Sequence, residues 1–149
     1  MVVDERGRRE FRGRADQVGA ARRFVSAALK IGSPLRDVTR LLVSEAVTNA
    51  LLHSSSGRDQ GTFEVTYALS GGRIRVEVHD GGAPVAPRRR VHGLDSITGR
   101  GLDLFDALAD RWGFRGDERG RVVWFELDLR KEMGDGAQAR AVRSRSARP

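Results

Sequence analysis

The sequence predicts an α+β fold: a two-layer α/β sandwich in which a mixed, mainly antiparallel sheet is covered on one face by about three helices. Two observations lead to it. Apolar residues recur at helical spacing over 16–31, 34–53 and 100–110, and alternate with polar residues over 63–69, 74–79 and 121–129. The strands also follow one another across short glycine turns, at Gly71-Gly72 and between Gly116 and Gly120, which favours hairpins over parallel crossovers.

The elements follow in order. A short strand is expected near 9–12. Asp16 then reads as the N-cap of a helix whose inward residues are Val18, Ala21, Val25, Ala28 and Leu29, with Gly32 ending it. Ser33-Pro34 opens the second helix, a cap followed by proline at the first helical position, and nothing breaks the pattern before His53. Residues 54–61 are a loop by composition. Phe63, Val65, Tyr67 and Leu69 form the apolar side of one strand, and Ile74, Val76 and Val78 that of its hairpin partner. After an irregular stretch over 81–98, a third helix buries Leu102, Phe105, Leu108 and Ala109, and a second hairpin pairs 111–115 with 121–129.

A chain of 149 residues supports one compact domain, expected over 10–130 between a flexible arm at 1–9 and a disordered tail at 131–149. The absence of cysteine excludes disulfides and thiolate metal sites, and the histidines at 53, 79 and 92 lack metal-ligand spacing. No run approaches the ~20 apolar residues of a membrane helix, and Met1-Val2-Val3-Asp4-Glu5-Arg6 lacks the apolar centre of a signal peptide, so a cytoplasmic protein is expected. The net charge of +7 invites a nucleic-acid reading, yet the sixteen basic and fifteen acidic residues of 15–129 nearly cancel. The excess lies at the ends, and direct nucleic-acid binding ranks last.

Three features could carry chemistry. Glu45, Asn49 and His53 fall at i, i+4 and i+8 along the edge of the second helix's apolar face, where a carboxylate, an amide and an imidazole could serve a metal-bound polyanion, or form an ordinary boundary stripe. Asp80 continues the inward parity of Ile74, Val76 and Val78; it is either a buried acceptor for a ligand's N–H groups or a strand-end turn residue. Gly99-Arg100-Gly101-Leu102 opens the third helix, where unpaired backbone N–H groups can meet a phosphate, although a lone Gly-x-Gly is weak evidence.

In this order and spacing the three resemble the GHKL ATPase superfamily, and within it the small anti-sigma-factor serine/threonine kinases. The matching stretches are 44–53 (SEAVTNALLH), 76–82 (VEVHDGG), 99–104 (GRGLDL) running into 107–113, and 120–127 (GRVVWFEL). The resemblance implies the Bergerat-type ATP-binding fold, with ATP and Mg²⁺ as cofactors. It implies that Glu45 is the general base or orients the attacking group, and that Asn49 is the amide ligand to Mg²⁺. It further implies that Asp80 accepts from the adenine amine, that Gly82 lies beside the adenine, and that Gly99, Gly101 and Leu102 present backbone N–H groups to phosphates. Arg100 could offer its guanidinium to a phosphate, and His53 has an ancillary role. Residues 83–98 correspond to the lid, and Arg88-Arg89-Arg90 within it reads as a solvated charge run.

The chain departs from the family pattern in two places. Many relatives carry a Thr near the adenine-binding acid in the strand after the last glycine; Val122 and Val123 are read in that place here, which implies weaker adenine binding. The lid also lacks a fuller glycine run. The implied partners are a sigma factor and an anti-anti-sigma protein, the latter phosphorylated on Ser or Thr, with a homodimer possible. The alternative is a catalytically weak or inactive, nucleotide-gated protein that sequesters a transcription factor.

Overall fold

The computed structural model describes residues 5–53, 61–81, 99–116 and 120–131, with the side chains of 53, 99–102 and 131 left aside. Residues 54–60 of the loop expected over 54–61, the lid with Arg88-Arg89-Arg90, Gly82, the tip of the second hairpin and the tail beyond Lys131 lie outside the described residues.

The elements are β1 (Glu5–Arg12), a 3₁₀ turn (Ala15–Gln17), α1 (Val18–Ser26), α2 (Pro34–His53), β2 (Thr62–Ser70), β3 (Arg73–Asp80), α3 (Gly99–Leu108), β4 (Arg111–Gly116), β5 (Arg121–Asp128) and a closing 3₁₀ turn (Leu129–Lys131). The five strands form one sheet in the order β1-β2-β3-β5-β4. Every neighbouring pair is antiparallel, so the sheet is wholly antiparallel rather than mixed. Gly71 and Gly72 close the β2–β3 hairpin with φ of 61° and 78°, the left-handed pair a two-residue turn requires.

Alternation sorts the sheet into two faces. Phe11, Phe63, Val65, Ile74, Val76, Val78, Phe125 and Leu127 are buried on one side, where they meet Ala21 and Val25 of α1, Leu42, Val43, Ala46 and Val47 of α2, and Phe105 of α3. Ring contacts knit this core: Phe11 stacks on Phe63 at 5.2 Å, and Phe105 lies 5.6 Å from Trp112 and 5.9 Å from Phe125. α2 packs on β3 and β5 and touches both α1 and α3, which makes it the central element of the helical layer.

Two boundaries differ from the expectation. β1 begins at Glu5, so 5–9 belong to the sheet and not to a flexible arm. Its stabilising contacts are cross-strand ones that no local pattern reveals. The Tyr67 hydroxyl donates to Glu5 Oε1 at 2.9 Å, Arg8 Nε donates to Glu64 Oε2 at 2.6 Å, and Gly7 lies under the Tyr67 ring, where a Cβ would come within 2.5 Å. In the first helix Asp16 is not an N-cap. It sits within the 3₁₀ turn, where its carboxylate accepts from Arg14 and Gln17. The α-helix then stops at Ser26, and tighter bonds from the Ala28 and Leu29 N–H groups to Val25 and Ser26 carry the chain on to Gly32, at φ 90°.

The opposite face of the sheet is polar and bears no helix of the described set. Arg75 stacks over Trp124 at 4.2 Å and donates to both Glu77 and Glu126 at 2.9 Å. Burial works against the Arg75 charge, but the two carboxylates outweigh it and raise its pKa. Burial likewise opposes the Glu77 charge, and Arg75 with His79 outweighs it, holding Glu77 below the usual carboxylate range.

Candidate functional site

α2 places its functional column as its periodicity dictates. Leu42, Val43, Ala46, Val47 and Ala50 face the core at 0–2% exposure, and Glu45 and Asn49 lie at the margin of that stripe. Glu45 is half-buried and Asn49 is buried at 6% exposure. Neither side chain has a hydrogen bond or ion pair with another described residue. Neither contributes a buried side-chain atom that lacks a partner, so their polar atoms reach solvent. The helix thus sets an amide and a carboxylate one turn apart at the margin of the core, open to a ligand.

The same observation tests whether Mg²⁺ fits. Asn49 offers a hard carbonyl oxygen, and Glu45 a carboxylate one helical turn from it. Among the described residues no cluster of three or more His, Cys, Asp or Glu could hold a metal. A cation here would therefore draw most of its ligands from phosphate and water, the mode Mg²⁺ favours. His53 is the last residue of α2, and its side chain lies outside the description.

α3 starts at Gly99, so Gly99, Arg100, Gly101 and Leu102 form its first turn, where the N–H groups lack intrahelical partners. Phe105, wholly buried, fixes this helix against Trp112 and Phe125, and Trp112 Nε1 donates to Asp106 at 2.8 Å. The glycine pair is thus anchored to the α2 layer and to the β4–β5 hairpin.

Asp80 ends β3, and its side chain is 2% exposed, on the inward face that its parity predicts. It does not stand among apolar groups alone. The β3–β5 register sets Arg121 directly opposite it, and Arg121 Nε donates to Asp80 Oδ1 at 3.4 Å, with the arginine side chain 8% exposed.

Sequence reasoning missed this neighbour. Val122 and Val123, read as the residues beside the acid, pair instead with His79 and Val78. The signal was present: Arg121, Val123, Phe125 and Leu127 alternate with Val122, Trp124, Glu126 and Asp128, and Phe125 and Leu127 mark the inward set. Gly81, next to Asp80, is exposed, and Gly82 lies outside the described residues. An open cavity of about 420 Å³ among Arg6, Arg8, Thr66, Arg75 and Glu77 includes none of these residues.

A wholly antiparallel sheet under three helices, with an amide and a carboxylate side by side on the central helix, a buried acid at a strand end and a glycine pair opening the last helix, has the architecture of a GHKL-type α+β sandwich. The comparison with known families agrees. The chain matches the histidine kinase-like ATPase domain over residues 11–127, and it belongs to that family. Among curated proteins it is similar to the serine-protein kinase RsbW of Listeria monocytogenes serotype 4a and of serotype 4b. Each is 29% identical over 111 residues, covering 67% of this chain and 71% of the relative. The RsbW of serovar 1/2a is 28% identical over the same length. No described helix is long and apolar enough to cross a membrane.

Proposed function

We propose that this chain is a Mg²⁺- and ATP-dependent serine/threonine protein kinase of the anti-sigma type, which binds a sigma factor and phosphorylates an anti-anti-sigma partner. The observation that carries the reading is the pair Glu45 and Asn49 on α2, which has no side-chain partner among the described residues, in a chain similar to proteins called serine-protein kinases. Domain family and relatives support ATP use and kinase chemistry; the sigma-type partners rest on the sequence resemblance, as does a homodimer.

Each residue then has a task. Asp80 accepts from the exocyclic amine of the base, with Gly82 beside the ring. The first-turn N–H groups of Gly99, Gly101 and Leu102 receive phosphate oxygens, and Arg100 adds charge there. Asn49 holds Mg²⁺, which when bound neutralises phosphate charge. Glu45 orients the substrate hydroxyl and takes its proton, and His53 plays an ancillary part. Little covalent work falls to the protein: positioning and charge stabilisation account for most of the acceleration in phosphoryl transfer.

The test is incubation with radiolabelled ATP, Mg²⁺ and candidate partner proteins. Glu45→Gln removes a group on which no described contact depends, so folding should change by no more than about 0.5 kcal/mol while transfer falls by about 10²–10⁴. Nucleotide binding should persist. Equal transfer by both proteins would remove Glu45 from the mechanism. Tight ATP binding with no transfer by the wild type would identify a nucleotide-gated binding protein instead.

A further inference from the structure

The side chains that a helix shows to water are ordinarily polar, and α2 departs from this along one stripe. Between Val38 and Leu52 its two exposed residues are both leucine, while Arg40, Ser44, Glu45 and Thr48 are half-buried. Leu41 is 40% exposed and Leu52 58%, two of the four large apolar side chains that stand exposed among the described residues. Ser44 adds little polarity between them, because its hydroxyl is turned back onto the Arg40 carbonyl at 3.0 Å. At about 100° per residue, Leu41, Glu45, Thr48 and Leu52 fall within about 60° of arc, so the leucines share one stripe with the Glu45 carboxylate. Leu41 stands about 6 Å before Glu45 along the helix axis and Leu52 about 10 Å after it.

We propose that Leu41 and Leu52 are docking residues for the acceptor protein, each receiving an apolar side chain that flanks its phosphorylated serine or threonine. This rests on the assignment of Glu45 to the acceptor hydroxyl. Glu45 itself decides what crosses the stripe: a hydroxyl reaches its carboxylate at about 3 Å only if the chain on either side of the acceptor passes over the neighbouring surface of α2. An extended segment advances about 3.3 Å per residue, which sets Leu41 opposite a position about two residues from the acceptor and Leu52 opposite one about three residues away on the other side. Apolar side chains there cover the two leucines. Charged ones lose hydration without a partner, since the one charge of the stripe, Glu45, is engaged with the hydroxyl. The stripe therefore selects a serine or threonine set among apolar residues.

The experiment measures transfer from radiolabelled ATP, with Mg²⁺, to the candidate partner protein that accepts label, by the full chain and by Leu41→Ser, Leu52→Ser, the double variant and Ile31→Ser. Ile31 is the control: it is 89% exposed but precedes α2, off the stripe. Both leucines are exposed, so the variants should melt with the wild type. Covering what remains exposed of a leucine predicts a KM for the acceptor protein raised about 3–10-fold in each single variant and about 10–100-fold in the double. The kcat and the calorimetric affinity for ATP should be retained, and Ile31→Ser should match the wild type. An unchanged KM in the double variant, or an equal rise in Ile31→Ser, would overturn the docking role. Lower ATP affinity in Leu52→Ser would place that leucine over the nucleotide and overturn its part in docking. Glu45→Gln separates this proposal from the reading beneath it: full transfer by that variant would remove Glu45 from the acceptor hydroxyl, and no labelling of any partner by the wild type would remove the kinase reading and this proposal with it.

Discussion

Replacing Gly116 with alanine tests how the β4–β5 hairpin holds Arg121 in place. Gly116 has φ of 117°, and a Cβ there would lie 2.1 Å from the Gly120 carbonyl oxygen and 2.7 Å from the Arg121 Cα. Both obstacles are backbone of the partner strand, so relief requires opening the ladder in which Gly116 pairs with Arg121. The conformation alone costs a non-glycine residue about 1–3 kcal/mol, and the overlap brings the total to about 3 kcal/mol or more. Gly32 is the control. Its φ is 90°, but nothing lies within 4 Å of its Cβ position. Gly32→Ala therefore bears the torsional cost alone, about 1 kcal/mol. Thermal denaturation followed by circular dichroism should show Gly116→Ala melting roughly 10 °C below the wild type and Gly32→Ala only about 4 °C below. ATP affinity should fall in Gly116→Ala alone. Equal melting shifts would refute the steric argument, and unchanged ATP affinity in folded Gly116→Ala would detach the hairpin from the site.

Other consequences follow from the core and the polar face. Phe105→Ala empties a wholly buried ring position between Trp112 and Phe125; it should cost about 3–5 kcal/mol by denaturant titration, and loosen α3 enough to weaken nucleotide binding. Glu77 and Asp128 both have pKa values below the ordinary carboxylate range, Glu77 through Arg75 and His79 against its burial, Asp128 chiefly through the Arg130 hydrogen bond. Because the folded pKa lies below the unfolded one, the stabilisation is complete above about pH 4.3 and is lost as pH falls through the folded value. Denaturant titrations should show stability dropping across that acid window, with a shallower drop in Glu77→Gln; an unchanged slope would contradict the linkage.

The sequence made the helical layer and the β2–β3 hairpin legible because both rest on local periodicity: the apolar columns of α2 and the alternation of Ile74, Val76 and Val78 are complete within a few turns or residues. The inward placement of Asp80 followed from the same parity. What escaped depended on partners far along the chain. β1 is anchored by Tyr67 and Glu64, over fifty residues away, and its own arginines show no apolar alternation. The alternation of β5 around the buried Phe125 and Leu127 already put Arg121 on the inward face, but its place opposite Asp80, 41 positions away in the chain, depends on the register of the two strands. Asp16 looked like a cap because its residue type suits one, but the chain tightens into a 3₁₀ turn before the α-helix begins.

The central claim is that Asp80 and the α2 column hold a Mg²⁺-nucleotide. A crystal structure of the full chain with Mg²⁺ and a non-hydrolysable ATP analogue tests it most directly. The account predicts the adenine amine within hydrogen-bonding distance of Asp80, Asn49 ligating Mg²⁺ at about 2.1 Å, and phosphate oxygens against the first-turn N–H groups of α3. A nucleotide bound elsewhere, with Asn49 away from the metal, would contradict it.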